Sequence, residues 1–457
     1  MTLQERDHAV IWHPFTQQKN RQPPVPIVKG KGTLLFDEQG NEYIDAISSW
    51  WVTLHGHAHP YIAEKLYQQA LTLEQVIFAG FTHEPAVSLA ERLLPIIPGN
   101  FARIFYSDNG STSTEVALKM SLQYWWNNSR GQLTVDSEQI TVNSQQSTFN
   151  GERTKILAFN DAYHGDTFGA MSVSDRSVFT LAFHDKLFEV IFIDTPNADN
   201  ISQLKQIVIS QGQEIAAFIY EPLVQGAGGI KMYEAKWMDE LLKAVKQQGI
   251  ICIADEVMTG FGRTGKLFAS EYMTEKPDII CLSKGLTGGT MALGITACTD
   301  KIYQAYVNDD KLKTFFHGHS FTANPLACTA ALASLDLLLK PECQQQIDWI
   351  STQNKVFANH LTTLNSNSTP DRLPTKSRPT YDLRHESLRT LGTILAFEIA
   401  EGQDGYLNNI STTITQKAME QGIYIRPLGN TVYIMPPYCI TLEELGKVYG
   451  MLEELLG

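Results

Sequence analysis

The chain of 457 residues is 43% hydrophobic and 19% charged, with a net charge of −13. A length beyond the usual reach of one core predicts two packed domains, and the composition is that of an ordinary folded, soluble protein. The acidic balance excludes general affinity for nucleic acid or for an anionic membrane surface.

The N-terminal run MTLQERDHAVIWHPF has no basic stretch followed by an apolar one, so no signal peptide is expected. Residues 1–59 carry Pro23, Pro24 and Pro26 and then two short β-like runs, Thr33–Phe36 and Glu42–Asp45; they are expected to join a small domain. From residue 60 to residue 339 short apolar runs alternate with longer amphipathic ones. Strands are predicted at Arg103–Ser107, Lys155–Phe159, Ala216–Tyr220, Ile250–Asp255, Asp278–Ser283 and Gly294–Cys298, and helices at Ser111–Trp126, Lys236–Gln248 and Pro325–Leu339. Such alternation predicts an α/β large domain, a mostly parallel sheet covered by helices on both faces. Residues 127–154, rich in Ser, Gln and Asn, read as a surface insertion. Residues 340–457 read as a smaller α+β domain that ends in a strand at Tyr424–Arg426, a strand at Val432–Met435 and a helix.

No apolar run approaches the roughly 20 residues that span a bilayer. The six cysteines form no C-x-x-C pair, and no histidine cluster completes a zinc pattern. No metal site is expected, and the compartment is expected to be the reducing cytoplasm.

The chemistry gathers at predicted strand ends. The run IICIADE ends in Asp255 and Glu256, and 29 residues after Asp255 the run DIICLS leads into Lys284. Open α/β sheets bind ligands at this edge. A carboxylate there would keep a pyridine nitrogen protonated, and a lysine amine would bind the aldehyde of the same cofactor. The plainer alternative is a strand-end salt bridge. In YSDNGSTSTEVALK, Asn109, Gly110 and Ser111 lie between a strand and a long helix, where backbone N–H groups and the helix dipole suit a phosphate. N-capping of that helix by Ser111 or Thr112 is the alternative. Tyr163, just past the strand Lys155–Phe159, is placed to stack on a flat ring or to sit half-buried in the core. Gly260-Phe-Gly262-Arg-Thr-Gly265 matches G-x-G-x-x-G, but the following run is poorly periodic and Leu267 stands where a phosphate loop needs Ser or Thr, so no dinucleotide site is expected.

Together these residues resemble the class III (omega) aminotransferases of fold type I over nearly the whole chain, most specifically in the run DE…TGFGRTGK…PDI…SKG. The resemblance implies pyridoxal 5'-phosphate as cofactor and a homodimer with active sites at the subunit interface. Lys284 would bind the cofactor and shuttle the proton, Asp255 would pair with the ring nitrogen, Tyr163 would stack on the ring, and Gly110 and Ser111 would hold the phosphate. Ser320, in HGHSFTANP, would reach the phosphate of the other subunit.

Within the family, IWHPFTQ, SSWW, HGDTFGAMSV, VQGAGG, LTGGTMAL, IRPLGN and YIMPPY are similar to runs of the members that aminate 8-amino-7-oxononanoate in biotin biosynthesis, with S-adenosylmethionine as amino donor. On that likeness Phe15, Trp50, Asp166 and Gly318 would line the substrate site, and Arg426 would bind the substrate carboxylate as a guanidinium fork. Ala227 stands where many relatives carry a masking Glu, which leaves Arg426 open. Two positions depart from the pattern: Phe15 replaces a frequent Tyr, and Leu428 replaces a frequent Phe. Both are similar to members that take the amino group from lysine. Another omega-aminotransferase, acting on a diamine or ω-amino acid, and a cofactor-binding protein without turnover remain the alternatives.

Overall fold

The computed structural model describes residues 1–19, 21–129, 153–366, 381–384, 387–402 and 405–456. Seven strands form its central sheet: β1 Phe101–Ser107, β2 Lys155–Phe159, β3 Val190–Ile193, β4 Ile215–Tyr220, β5 Ile251–Asp255, β6 Ile279–Leu282 and β7 Gly294–Thr299. Their order across the sheet is β1-β7-β6-β5-β4-β2-β3. All neighbouring pairs are parallel except those of β7, which runs antiparallel to both β1 and β6. The expected mostly parallel sheet is therefore present, with six predicted strands at nearly their predicted bounds. The seventh, β3, is a half-buried edge strand of four residues, too short to announce itself by period.

Burial follows from the layering. Every residue of β4 and β5 is buried, as a strand covered on both faces requires. Helix α1 (Gly110–Ser129) packs across β7, β6 and β4. Helix α2 (Ala235–Gln247) buries Met238, Leu241, Leu242 and Val245, the spacing of one apolar helical stripe, and turns its charged side chains outward. Helix α3 (Pro325–Leu338) is buried along most of its length.

The two ends of the chain meet. Strands Ile27–Lys31, Leu34–Asp37 and Glu42–Asp45 form an antiparallel meander, and Ile423–Tyr424 adds to it in parallel beside Glu42–Asp45. A second small sheet joins Arg389–Leu391, Ile394–Glu398 and Thr431–Ile434. The first strand of the meander, half polar and mostly exposed, had no clear sequence signal. Of the 127–154 insertion, residues 127–129 continue α1 and residues 153–154 lead into β2; residues 130–152 lie outside the described residues. Among the described residues no helix is long and apolar enough to cross a membrane.

Candidate active site

The C-terminal ends of β1, β2, β4, β5 and β6 open on one edge of the sheet, and antiparallel β7 begins there. A cavity of about 480 Å³ lies at this edge, lined by Gly110 and Ser111 after β1, Tyr163 and His164 after β2, Glu221 after β4, Asp255 on β5 and Lys284 after β6. Five of the expected site residues are thereby brought to one cavity, together with Ala227.

Lys284 is held in left-handed backbone with φ 46°, and its Nζ lies 4.4 Å from the centre of the Trp51 ring. Burial draws its amine down from 10.5 to about 8, against the pull of the Asp255 and Glu221 carboxylates. More of the amine is therefore neutral, and nucleophilic, near neutral pH. Reaction of the cofactor-free protein with an aldehyde at this site should speed up about tenfold per pH unit below about 8 and level off above it. A rate that kept rising towards pH 10 or so would mean an ordinary lysine.

Asp255 is buried, and its Oδ2 lies 2.7 Å from Nδ1 of His164 while Oδ1 accepts the Val257 N–H at 3.1 Å. A carboxylate only accepts, so Nδ1 of His164 carries the proton. The backbone N–H of His164 donates to Ser174 Oγ at 2.9 Å, which anchors the main chain that carries the ring. Glu221 is also buried; its Oε1 accepts the Tyr163 N–H at 3.1 Å and its Oε2 the Gly226 N–H at 2.7 Å. Burial pushes its carboxyl up to about 7, with His164 opposing and Asp255 adding to the rise.

Helix α1 is capped by Asn109, whose Oδ1 accepts the Thr112 N–H at 3.0 Å while Thr112 Oγ1 accepts the Asn109 N–H at 3.1 Å. Capping is thus the work of Asn109 with Thr112, not of Ser111. The Gly110 and Ser111 amides are left without an acceptor among the described residues, at the positive end of a long helix. A Cβ on Gly110 would come within 2.8 Å of Val257 Cγ1, so only glycine lets the backbone lie this close to the cavity floor. An anion cradle, a lysine amine and a buried carboxylate in one cavity fit a phosphate-bearing pyridine aldehyde, which is the donor set that pyridoxal 5'-phosphate requires.

None of the remaining expected residues lines this cavity, and Trp50 and Asp166, expected on the substrate pocket, reach its surroundings through their neighbours. Asp166 is exposed, accepts the Tyr163 hydroxyl at 2.9 Å, and its N–H donates to Ser111 Oγ at 3.1 Å. Trp50 lies under the Arg426 guanidinium at 4.9 Å and meets Phe15 edge to face at 5.3 Å. Arg426 and Phe15 line a second cavity, of about 930 Å³. Between the two, a space of about 620 Å³ shares Tyr163 and Ala227 with the first and Tyr406 with the second, and Leu428 lies on its wall. Gly318 and Ser320 are exposed and line none of these cavities within one chain.

Three contributors were not singled out from the sequence: Trp51, His164 and Glu221. Glu221 directly follows a predicted strand, so the strand-end argument applied once more would have found it. Trp51 owes its place to a turn the sequence does not advertise. Ser48, Ser49, Trp50 and Trp51 all have positive φ, at 52°, 45°, 71° and 75°. Left-handed backbone costs about 1–2 kcal/mol per non-glycine residue. It is held by Ser48 Oγ to the Met435 carbonyl at 2.7 Å, Ser49 Oγ to Asp45 Oδ2 at 2.7 Å, and Trp51 Nε1 to the Tyr433 hydroxyl at 3.0 Å. Strain of this kind persists where the surroundings over-determine it, and here it sends Trp51 to Lys284 and Trp50 to Arg426.

The sequence pattern of the family described as aminotransferase class-III matches residues 15–456. The adenosylmethionine-8-amino-7-oxononanoate aminotransferase of Synechococcus elongatus is 44% identical over 98% of this chain and 99% of its own length. The enzyme of that name from Geobacter sulfurreducens is 35% identical over 99% and 97%. Among solved structures, the adenosylmethionine-8-amino-7-oxononanoate aminotransferase of Methanocaldococcus jannaschii superposes with a TM-score of 0.85 at 31% identity, covering 99% of this chain and 98% of that one. An amine transaminase from an uncultivated Pseudomonas species, in its PLP-bound form, gives 0.82 at 28% identity, covering 98% of each chain. With a sheet-edge cavity that gathers lysine, carboxylate and anion cradle, and a family match over nearly its whole length, this chain belongs to the class III aminotransferases.

Proposed function

We propose that this chain transfers an amino group to the ketone of 8-amino-7-oxononanoate, giving 7,8-diaminononanoate in biotin biosynthesis, with S-adenosylmethionine as donor and pyridoxal 5'-phosphate as cofactor. The observation that carries the reading is the convergence of Lys284, Asp255, Tyr163, Gly110 and Ser111 on one cavity. Relatives named for this reaction that align over 97% or more of both partners add the substrate.

The cofactor, when bound, supplies an aldehyde and an electron-withdrawing ring. The chain's residues do the rest. The Gly110 and Ser111 amides receive the phosphate, and Tyr163 covers the ring. Asp255, oriented by His164, keeps the ring nitrogen protonated. Lys284 would bond the cofactor aldehyde, and its freed amine would serve as the general base for the proton on the donor α-carbon. The first product leaves before the acceptor enters, so the kinetics are ping-pong. Arg426, unmasked because residue 227 is Ala, takes the acceptor carboxylate, while Trp50, Phe15 and Asp166 shape the approach. The same proposal includes a cytoplasmic homodimer. All six cysteines are free thiols, as a reducing compartment requires. The exposed segment of Gly318 and Ser320 carries Phe316 and Phe321, 72% and 64% exposed, apolar surface that a second copy would cover and that would bring Ser320 to the partner's phosphate.

A second reading, lysine as donor, is favoured by two positions. Phe15 meets the Trp50 ring at 5.3 Å and the Phe179 ring at 6.0 Å, where a tyrosine would bring a hydroxyl, and Leu428 is buried on the wall between the cavities. One experiment separates the two. Adding S-adenosylmethionine alone to the yellow, cofactor-loaded enzyme should bleach the band as the amine form of the cofactor accumulates. If the band stays and lysine bleaches it, the donor is lysine; if neither acts and 8-amino-7-oxononanoate is not aminated with any donor, the reading fails.

A further inference from the structure

The cavity that holds Arg426 has a second guanidinium. Arg21 lines it as well, with a side chain only 5% exposed. Its Nη2 donates to Asp7 Oδ2 at 3.2 Å and to His8 Nδ1 at 3.0 Å. Its Nη1 is buried and has no acceptor among the described residues. Buried charged donors are rarely left unpaired, so this nitrogen marks a place where an acceptor belongs.

The arginine is fixed from behind. The helix Leu3–Val10 folds back over the segment that follows it; Asp7 is held by His13 Nε2 at 2.8 Å as well as by Arg21, and Gln4 Nε2 donates to the Pro24 carbonyl at 2.9 Å. One terminal nitrogen of Arg21 is therefore committed to anchoring and the other is not. Among the described residues lining the cavity, Arg21 and Arg426 are the cations and Glu420 the one carboxylate. No described carboxylate pairs with Arg426. A cavity with two guanidiniums, each keeping donors in hand, favours an incoming anion, and a planar fork suits a carboxylate.

We propose that Arg21 is a second carboxylate-reading residue of the substrate site, its Nη1 taking an oxygen of the chain-like acid whose carboxylate enters the cavity shared with Arg426. The inference rests on the reading above that the acceptor ends in a carboxylate, and it adds a specificity determinant contributed by the N-terminal segment.

The probe is nonanoate, a nine-carbon acid without the reacting ketone, titrated calorimetrically into cofactor-loaded enzyme beside the neutral nonanamide. Arg21→Gln should weaken nonanoate about tenfold and leave nonanamide unchanged, with Arg21→Lys recovering part of the loss. In turnover, Arg21→Gln should raise KM for the carboxylate acceptor by a similar factor and leave kcat within about twofold. Equal weakening of acid and amide, or no weakening of either, overturns the proposal. Asp7→Asn keeps the guanidinium and removes its anchor; a loss as large as that of Arg21→Gln would make the folding of the segment the cause and also overturn it. If Arg21 governs nonanoate binding while 8-amino-7-oxononanoate is not aminated, the functional reading fails and the carboxylate site stands.

Discussion

Lys284→Ala is expected to lower turnover by at least about 10³-fold while the protein still folds and still binds pyridoxal 5'-phosphate. On the proposed mechanism two functions would be lost at once: the amine that bonds to the cofactor and the base that moves the proton. The other groups at the cavity do not replace it. Tyr163 is hydrogen-bonded to Asp166, and Glu221 has both carboxyl oxygens occupied by backbone N–H groups. Folding should survive, because Lys284 makes no ion pair among the described residues and its removal relieves a buried cation whose charged form burial already disfavours. Cofactor binding should weaken but persist, since the Gly110–Ser111 cradle and Asp255 stay in place. Addition of a small primary amine should restore part of the proton transfer by occupying the vacated space against Trp51. The measurement is single-turnover absorbance with donor, beside a thermal melt. Turnover near that of the parent, with cofactor bound, would remove Lys284 from the mechanism.

How far the sequence could be read depended on the kind of signal. Lys284, Asp255 and Tyr163 were legible because each follows or ends an apolar run, and open α/β sheets place such ends together whatever the details of packing. The turn before α1 was legible for its glycine and its helix, although the cap itself fell to Asn109. What was not legible is what depends on distant segments meeting. Phe15, Trp50 and Arg426 come together from both ends of the chain, and no local period says that Ile423–Tyr424 pairs with Glu42–Asp45. The division of labour between Trp50 and Trp51 is set by four consecutive left-handed residues in SSWW, none of them glycine, so propensity argues against the conformation that the hydrogen bonds from Ser48, Ser49 and Trp51 impose. Strand β3 was missed for a simpler reason: four residues at a sheet edge carry too little pattern.

The second large effect is expected at Asp255. Asp255→Asn keeps the size and removes the charge, and it should lower kcat roughly 10²- to 10³-fold, the size of effect seen when one preorganised electrostatic partner of a reacting group is removed. The argument runs through two neighbours. On the proposed mechanism the cofactor's ring nitrogen would lose the anion that keeps it protonated, and the ring would then withdraw electrons poorly. His164 loses the carboxylate that accepts its Nδ1 proton at 2.7 Å, in a place where its Nε2 is already buried without a partner among the described residues. The asparagine carbonyl still offers one acceptor, so the fold should hold, and KM for either substrate should change little because Arg426 and the cavity walls are untouched. A cofactor analogue methylated at the ring nitrogen carries a permanent positive charge and needs no carboxylate to keep it. It should recover much of the lost rate in Asp255→Asn while giving the parent enzyme no gain. If Asp255→Asn turns over normally with the natural cofactor, the ring nitrogen is not held protonated from this position. If the rate falls but the methylated cofactor restores nothing, Asp255 acts through His164 and the packing of the loop after β2 instead. That second outcome would shift the electrostatic role towards Glu221, the only other carboxylate among the described residues that shares this buried corner of the cavity with His164 and Asp255.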